Sequence, residues 1–345
     1  MINDNKKADD KTSDNKTKER LEIVCPAGTP AALEVAVNSG ADAVYTGFRN
    51  ETNARNFPGL NFSPKELATS VEFAHANGSK VFVAINTFPK ADNQELWHQS
   101  IDDAVAANVD AIILADIGLL DYASNKHPDA RLHLSVQASA SNAEAINFFN
   151  KTFGVKRVVL PRVLTIPEIK KLNSEIDVET EIFAFGGLCV MAEGRCSLSS
   201  YITGESPNMN GVCSPASHVR YEKEGSKMVS KLNDFTINEF EKFETAGYPT
   251  LCKGRFSTDE NDPTYLFEEP TSLNVIEMIP ELVDAGVLAL KIEGRQRSKA
   301  YVKEVVQNFR SAVDSFYDGN DIINDLGNLA EGQRGTSGAY VKKWQ

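Results

Sequence analysis

The 345-residue sequence predicts an α/β protein, specifically a (β/α)₈ TIM-type barrel with a cysteine-bearing insertion after the seventh strand. Two observations predict this fold. Apolar runs such as VFVAI and AIILA are continuous rather than alternating, as expected of strands buried on both faces of a parallel sheet. Eight strand-then-helix units follow one another, the number that closes such a barrel. A doubly wound sheet is the alternative, and the number of units favours the barrel.

The strands and helices can be assigned in chain order from apolar runs and capping signals. The predicted strands are Leu21–Ala27, Ala41–Gly47, Lys80–Thr87, Asp110–Asp116, Arg131–Ala138, Lys156–Pro161, Glu179–Phe185 and Val287–Glu293. Polar residues that favour helix N-caps mark the starts of most helices. These are Thr29, Ser63 (with Glu66 in a capping box), Asn93, Asn142, Thr165 and Ser272, and the helices Gly118–Lys126 and Ser298–Asp318 complete the set.

The barrel, predicted over residues 21–319, is flanked by two tails and interrupted once. Residues 1–20 are polar, with nothing to bury, and predict a disordered tail. Residues 320–345 are Gly-rich and non-periodic and predict a loose tail, with Trp344 as a residue that could dock. Residues 187–270 lack strand–helix alternation. They leave the barrel at the C-terminal end of a strand, the rim where barrel enzymes build their sites, so we expect a cap there.

Charge and hydropathy exclude some classes of protein. The formal net charge is −12 and the sequence pI is about 5.0, which argues against nucleic acid as the main partner. No apolar run approaches 18 residues, so no membrane span is expected. The N-terminal residues lack the apolar stretch of a secretory signal. We therefore expect a cytoplasmic protein.

Four of the five cysteines cluster in the insertion with the spacing C-x₆-C-x₁₆-C-x₃₈-C. Structural zinc usually uses C-x₂₋₄-C pairs, and neither pair here is that close. The cysteines that bind a cubane iron–sulfur cluster can be more widely spaced. The spacing favours [4Fe–4S] over zinc, with incidental thiols as a third interpretation. The clustered residues are Cys189, Cys196, Cys213 and Cys252.

The segment EIFAFGGLCVMAEGRCSLS, residues 181–199, resembles the signature of the collagenase-like U-thirty-two (U32) peptidase family. It departs at Gly187, where that family more often has Ser or Ala. The stretches His133–Gln137 and Lys291–Arg295 also resemble strand-end motifs of the family. The resemblance extends from Leu21 to about Gly319.

Within the family, chain length and cysteine spacing are most similar to the branch that hydroxylates the ubiquinone ring without oxygen. This resemblance implies a [4Fe–4S] cluster on the four clustered cysteines. It implies a homologous sister subunit with its own cluster, hence a heterodimer. It also implies prephenate as the source of the hydroxyl oxygen, a role shared with RNA-hydroxylating relatives.

The residues do not favour direct proteolysis, despite the family's name. A protease of the serine or cysteine type needs a nucleophile with a base within reach. Cys25 ends the first strand and His133 lies on the fifth, across the barrel, and neither G-x-S-x-G nor HExxH occurs. Cys25 is better interpreted as a packed small side chain.

Polar residues at strand C-termini are the remaining candidates for chemistry, since they face the mouth of such a barrel. Arg162 and Arg295 are predicted to bind the carboxylates of the donor, because a guanidinium pairs with a carboxylate through two parallel hydrogen bonds. The alternative is that either arginine pairs structurally with Glu293 or Asp116. Tyr45 and Asn86 are further candidates for substrate binding.

No catalytic residue can be assigned from the sequence, but His133, Gln137 and Glu293 are candidates. For His133, a core position is the favoured interpretation. Arg195, between two cysteines, either stabilises the cluster's charge or is solvated. The predicted function is the iron–sulfur subunit of an oxygen-independent hydroxylase that acts on a ubiquinone precursor. RNA hydroxylation, peptidase activity and a non-enzymatic cluster carrier remain as alternatives.

Overall fold

The computed structural model describes residues 20–191, 196–207, 213–244, 247–258, 261–331 and 334–341. The predicted N-terminal tail lies outside these residues except for Arg20. Arg195 and Trp344 also lie outside the described residues, so the two interpretations of Arg195 stay open.

Eight parallel strands in the described part of the chain close into a barrel. The last strand pairs with the first through Ile23 and Leu290, and with the seventh through Leu290 and Ile182. The (β/α)₈ prediction is thereby confirmed, because a doubly wound sheet would leave two open edges. The strands are β1 (Glu22–Pro26), β2 (Ala43–Thr46), β3 (Lys80–Ile85), β4 (Ala111–Leu114), β5 (Leu132–Leu134), β6 (Arg157–Val159), β7 (Glu179–Gly187) and, after the insertion, β14 (Ala289–Ile292).

The helices surround the barrel, and their starts follow the predicted capping residues with three differences, of which the third, at Ser272, is described below. The helix predicted to open at Asn93 begins at Glu95, and Asp116 caps the next helix by accepting a hydrogen bond from Leu119 N at 3.0 Å. Both Ser63–Glu66 and Thr165–Glu168 form reciprocal capping boxes. The helices are α1 (Pro30–Asn38), α2 (Pro64–Ala76), α3 (Glu95–Ala106), α4 (Ile117–Lys126), α5 (Ala143–Phe153), α6 (Ile166–Asn173), α7 (Ser197–Thr203, in the insertion), α8 (Ile279–Asp284) and α9 (Lys299–Tyr317).

The prediction that a helix starts at Ser272 is wrong. Ser272 instead begins strand β13 (Ser272–Asn274), which pairs antiparallel with the end of β7 and parallel with β15 (Gly335–Thr336). The reason is that β7 continues past its partner β14 to Gly187 and presents backbone groups that need hydrogen bonds. Pairing with β13 provides them, and helix α8 begins only at Ile279.

The insertion forms a cap on the C-terminal rim of the barrel. It leaves at the end of β7 and returns through β13, which is paired with that same end. The cap contains α7, a three-stranded antiparallel sheet and a two-stranded ribbon, around a small core of Ile202, Leu232 and Ile237. Its strands are β8 (Val219–Glu224), β9 (Lys227–Leu232), β10 (Phe235–Phe240), β11 (Arg255–Thr258) and β12 (Asn261–Tyr265).

The described part of residues 320–345, predicted as a loose tail, packs against the barrel and cap. Leu326 and Tyr340 are buried, and the Tyr340 hydroxyl donates to Phe183 O at 2.9 Å. Glu331 forms an ion pair with Lys253 of the cap. The prediction was based on composition, which cannot register contacts with distant residues. Among the described helices, none has the length and apolarity that crossing a membrane requires.

Candidate functional site

The barrel interior below the mouth holds a column of polar side chains rather than a wholly apolar core. Lys291 Nζ pairs with the fully buried Glu181 at 2.6 Å and lies 3.9 Å from the centroid of the Tyr45 ring. Burial lowers the pKa of Lys291, and the Glu181 carboxylate opposes this shift. The Tyr45 hydroxyl donates to Ile292 O at 2.9 Å, and burial raises its pKa. Tyr45 thus lies at the floor of the mouth, where the sequence places it.

Arg295 lies above Tyr45, buried and with no carboxylate partner among the described residues. Its guanidinium carbon is 5.6 Å from the Tyr45 ring centroid, and its Nη1 donates to Asn53 Oδ1 at 3.0 Å. Burial lowers the pKa of Arg295 to about 10. The charge of Glu293 acts on Arg295 without forming an ion pair with it. A buried cation whose described contacts are a neutral amide and an aromatic ring can accept an anionic ligand, because pairing would offset the cost of its burial.

Arg162, the second predicted carboxylate binder, already has a carboxylate partner. Its Nη2 lies 2.5 Å from Glu293 Oε2, and its guanidinium carbon stacks 3.6 Å from the Phe183 ring centroid. This is the structural pairing that the sequence analysis weighed as an alternative. Glu293 therefore neutralises Arg162 by an ion pair. The charge of Arg295 is available to a ligand, whereas that of Arg162 is already paired.

Asn86 and Gln137 lie near the rim, where their strands end. The Asn86 side-chain oxygen accepts a hydrogen bond from Ala54 N at 3.0 Å, so it holds the loop that follows β2. Gln137 is buried in a short 3₁₀ turn after β5. Asn86 thus has a structural contact as well as its predicted place at the mouth.

His133 lies deeper, at the register of Arg157 and Ile113 on the neighbouring strands. It is fully buried, its Nε2 accepts from Arg131 Nε at 3.1 Å, and its ring meets Phe82 edge-on. Burial lowers the pKa of His133 well below its usual value, and the neighbouring cations Arg157 and Arg131 lower it further. This position fits the core histidine favoured by the sequence analysis.

The four clustered cysteines come from four separate segments of the cap. Cys189 follows β7, and Cys196 directly precedes α7. The Ser199 hydroxyl in α7 donates to Cys213 O, and Cys252 lies in the 3₁₀ turn Leu251–Lys253. None of the five cysteines, all among the described residues, forms a disulfide. Cys25 is fully buried in the barrel core, which confirms its interpretation as a packed side chain.

Electrostatics show that the four thiols lie near one another. Burial raises the pKa of Cys252 to about 12, and negative charge on Cys213, Cys189 and Cys196 adds to the shift. Cys213 reaches solvent, yet enough protein surrounds its thiol for desolvation to be the main cause of its raised pKa. The charge of Arg55 opposes that shift, and Arg55 also acts on Arg295. Cys213 therefore lies within electrostatic reach of the loop that also contacts Arg295.

The four thiols fit a metal centre by the chemistry of their sulfur donors. Thiolates select zinc and iron–sulfur centres. One zinc ion needs each sulfur at about 2.3 Å. Among the described residues, no group of three His, Cys, Asp or Glu side chains is arranged to hold one metal ion. A cubane takes one thiolate at each of four irons, so four cysteines from separate segments could hold one.

Three residues of this region received no role from the sequence analysis. Glu181 and Lys291 could have been found as charged residues inside otherwise apolar strands, which marks a paired or functional position. Asn53 lies in a loop without periodicity, so no local signal identified it.

Together, a closed parallel barrel, a thiol-bearing cap and a buried arginine at the C-terminal rim define a TIM-type barrel with a candidate metal centre at its mouth. The family model of peptidase family U32 matches residues 28–340, and the chain belongs to this family.

Relatives with curated names include hydroxylation proteins. The tRNA hydroxylation protein P1 of Bacillus subtilis is 32% identical over 297 residues, which cover 86% of this chain and 63% of that protein. The 23S rRNA 5-hydroxycytidine C2501 synthase of Escherichia coli is 32% identical over 92% of this chain and 42% of its own length. The chain thus spans less than two thirds of either relative.

Among solved structures, that of the U32 peptidase Mk0906 matches 81% of this chain and 95% of its own. The sequence identity is 11% and the TM-score is 0.48.

Proposed function

We propose that this chain is a UbiU-like iron–sulfur subunit of an oxygen-independent hydroxylase that acts on a ubiquinone precursor. The [4Fe–4S] cluster would be held by the clustered cysteines, and prephenate would supply the hydroxyl oxygen. The observations that carry the proposal are four thiols close enough to affect one another's charge and a buried Arg295 for which the described residues supply no carboxylate partner.

Different residues of the mouth would bind different parts of the donor. Arg295 would pair with one carboxylate of the donor, and the Tyr45 ring beneath it would form the floor of the pocket. Arg162 would contribute charge only if Glu293 releases it. When bound, the cluster would supply one-electron redox chemistry. The cap would keep water from the mouth, which strengthens each charged contact inside.

RNA hydroxylation is the second candidate, because the relatives' names favour it. Charge argues against it. The chain carries a net charge of −12, and two lysines on the cap sheet are paired, Lys231 with Glu222 and Glu224, and Lys227 with Glu239 and Glu241. RNA binding relies on cations that are available to phosphates. Peptidase activity lacks an accessible nucleophile in Cys25.

We further propose a heterodimer with a UbiV-like homologous subunit that closes over residues 187–270. The support is the apolar surface of the cap, where Tyr201, Phe243 and Phe267 are exposed. Such an interface would bury more than roughly 1,200 Å² in total. Co-expression with a tag on the partner alone should recover both chains together in size-exclusion chromatography. A cluster-loaded monomer that hydroxylates unaided would exclude the heterodimer.

Anaerobic reconstitution tests the substrate. The purified protein with its partner is supplied with prephenate and either a ubiquinone precursor or unmodified tRNA, and products are identified by mass spectrometry. Hydroxylation of the quinone precursor that requires prephenate is expected. Hydroxylation of the RNA alone would replace the proposed function with the second candidate. The Arg295→Ala variant is the matched control for background oxidation.

A further inference from the structure

Asn53 holds the guanidinium of Arg295 through the oxygen of its uncharged side-chain amide. Its Oδ1 accepts from Arg295 Nη1 at 3.0 Å and from Arg55 N at 2.9 Å. Its Nδ2 donates to Phe48 O, so the amide is fixed at both ends. Asn53 is fully buried, so water does not compete for these contacts. The guanidinium is thereby oriented without being neutralised.

Two glycines make room for this arrangement. At Gly47, a Cβ would lie 2.6 Å from Asn53 Cγ, closer than carbon atoms can approach. At Gly28, a Cβ would collide with the backbone carbonyl of Arg295. Any larger residue at either position would displace Asn53 or Arg295. The loop after β2 and the chain after β14 therefore pack closely where Asn53 accepts the hydrogen bond from Arg295.

We propose that Asn53 is a positioning residue that fixes the Arg295 guanidinium for a carboxylate of the oxygen donor. This inference rests on the proposed function. An amide suits the task because it accepts a hydrogen bond yet leaves the positive charge available, whereas a carboxylate at the same place would consume that charge in an ion pair. The side chain at position 53 thus decides whether Arg295 can bind an anion.

Substitution of Asn53 by Asp separates this role from packing. Asn53→Asp keeps size and shape and gives Arg295 a carboxylate partner. We expect anaerobic calorimetric titration with prephenate to show binding weaker by about tenfold or more, the size of a lost charge-assisted hydrogen bond. Asn53→Ala should weaken binding less, by about threefold to tenfold, because the guanidinium keeps its charge but loses its orientation.

Asn61 provides a matched control in the same loop. It is 1% exposed, its Nδ2 donates to Arg55 O at 2.8 Å, and its left-handed φ of 70° is one that Asp also tolerates. Asn61→Asp therefore loses one buried amide donor, as Asn53→Asp does, without contacting Arg295. Its affinity for prephenate should stay within about twofold of the unsubstituted protein. An equal loss in both variants would show a packing effect and overturn the proposal.

Labelling of arginines with phenylglyoxal gives a second measurement that needs no ligand. Peptide mapping should show that Arg295 is modified faster in Asn53→Ala than in the unsubstituted protein, with Asn61→Asp unchanged. Unchanged labelling and unchanged affinity in the Asn53 variants would overturn the positioning role. If the unsubstituted protein binds no prephenate while Asn53→Ala still exposes Arg295 to the reagent, the proposed donor is wrong and the positioning of Arg295 stands.

Discussion

Lys253 of the cap and Glu331 of the C-terminal segment form an ion pair that joins the cysteine-bearing turn to the far end of the chain. Lys253 is 5% exposed and also donates to Thr271 O at 3.3 Å. Because Cys252 is the adjacent residue, the position of one candidate ligand depends on a carboxylate from a segment that sequence composition alone describes as loose.

Breaking this pair should destabilise the cap. Glu331→Gln leaves the buried Lys253 without its counter-charge, which typically costs about 3–5 kcal/mol, and Lys253→Met, which leaves the partly buried Glu331, should cost less. Urea unfolding should show this loss, and iron per chain after anaerobic reconstitution should fall with it. The exposed pair Arg334–Glu269 is the control, since Glu269→Gln should cost under about 1 kcal/mol. Equal effects at the buried and exposed pairs would contradict the prediction.

The four clustered cysteines should each be needed for metal. Replacing any one by Ala removes a ligand, so iron and sulfide should drop well below the roughly four of each expected for a cubane. Chemical analysis of anaerobically purified protein measures both. Cys25→Ala is the control. Cys25 is buried in the barrel core, so the variant protein should keep its iron. Stoichiometric zinc without sulfide would sink the cluster hypothesis.

Removal of Arg295 should affect donor binding more than removal of Arg162. Arg295→Ala deletes a charge to which no other described residue supplies a carboxylate. We expect kcat/KM for prephenate to fall by an amount equivalent to about 2–5 kcal/mol of transition-state stabilisation. Arg295→Lys should rescue only partly, because Lys lacks the planar fork. Arg162→Ala chiefly frees Glu293 and should cost less. Wild-type rates at limiting prephenate in both Ala variants would refute the arginine assignment.

His133 should make stability depend on pH. Its pKa in the folded state is well below the usual 6.5, so below pH 6.5 the unfolded chain takes up a proton that the folded chain does not. The contribution of His133 to the free energy of unfolding is therefore fully present above pH 6.5 and is lost as the pH falls below 6.5. His133→Gln keeps an acceptor for Arg131 and should flatten this slope, by up to about 1.4 kcal/mol per pH unit. Urea unfolding between pH 7.5 and 5 measures the difference, and parallel slopes would contradict it.

The barrel and its strands could be predicted from the sequence because their causes are local. Strands buried on both faces, such as Val81–Ile85, must be apolar without interruption, and helix starts such as Ser63 need side chains that satisfy free backbone N–H groups. The clustering of cysteines is likewise visible in the sequence, since the residue type carries the chemistry, and the metal centre that it predicts stays a prediction.

Contacts between distant segments were decided only by the tertiary structure. Arg162 and Arg295 look alike in sequence, yet the fold brings Glu293 to the first and Asn53 to the second. Ser272 carries a helix-capping signal, yet the open edge of β7 draws it into a strand. Local patterns record how a segment satisfies its own backbone. The pairing of charged side chains from different strands depends on the closure of the barrel, because only closure brings the ends of those strands to one rim.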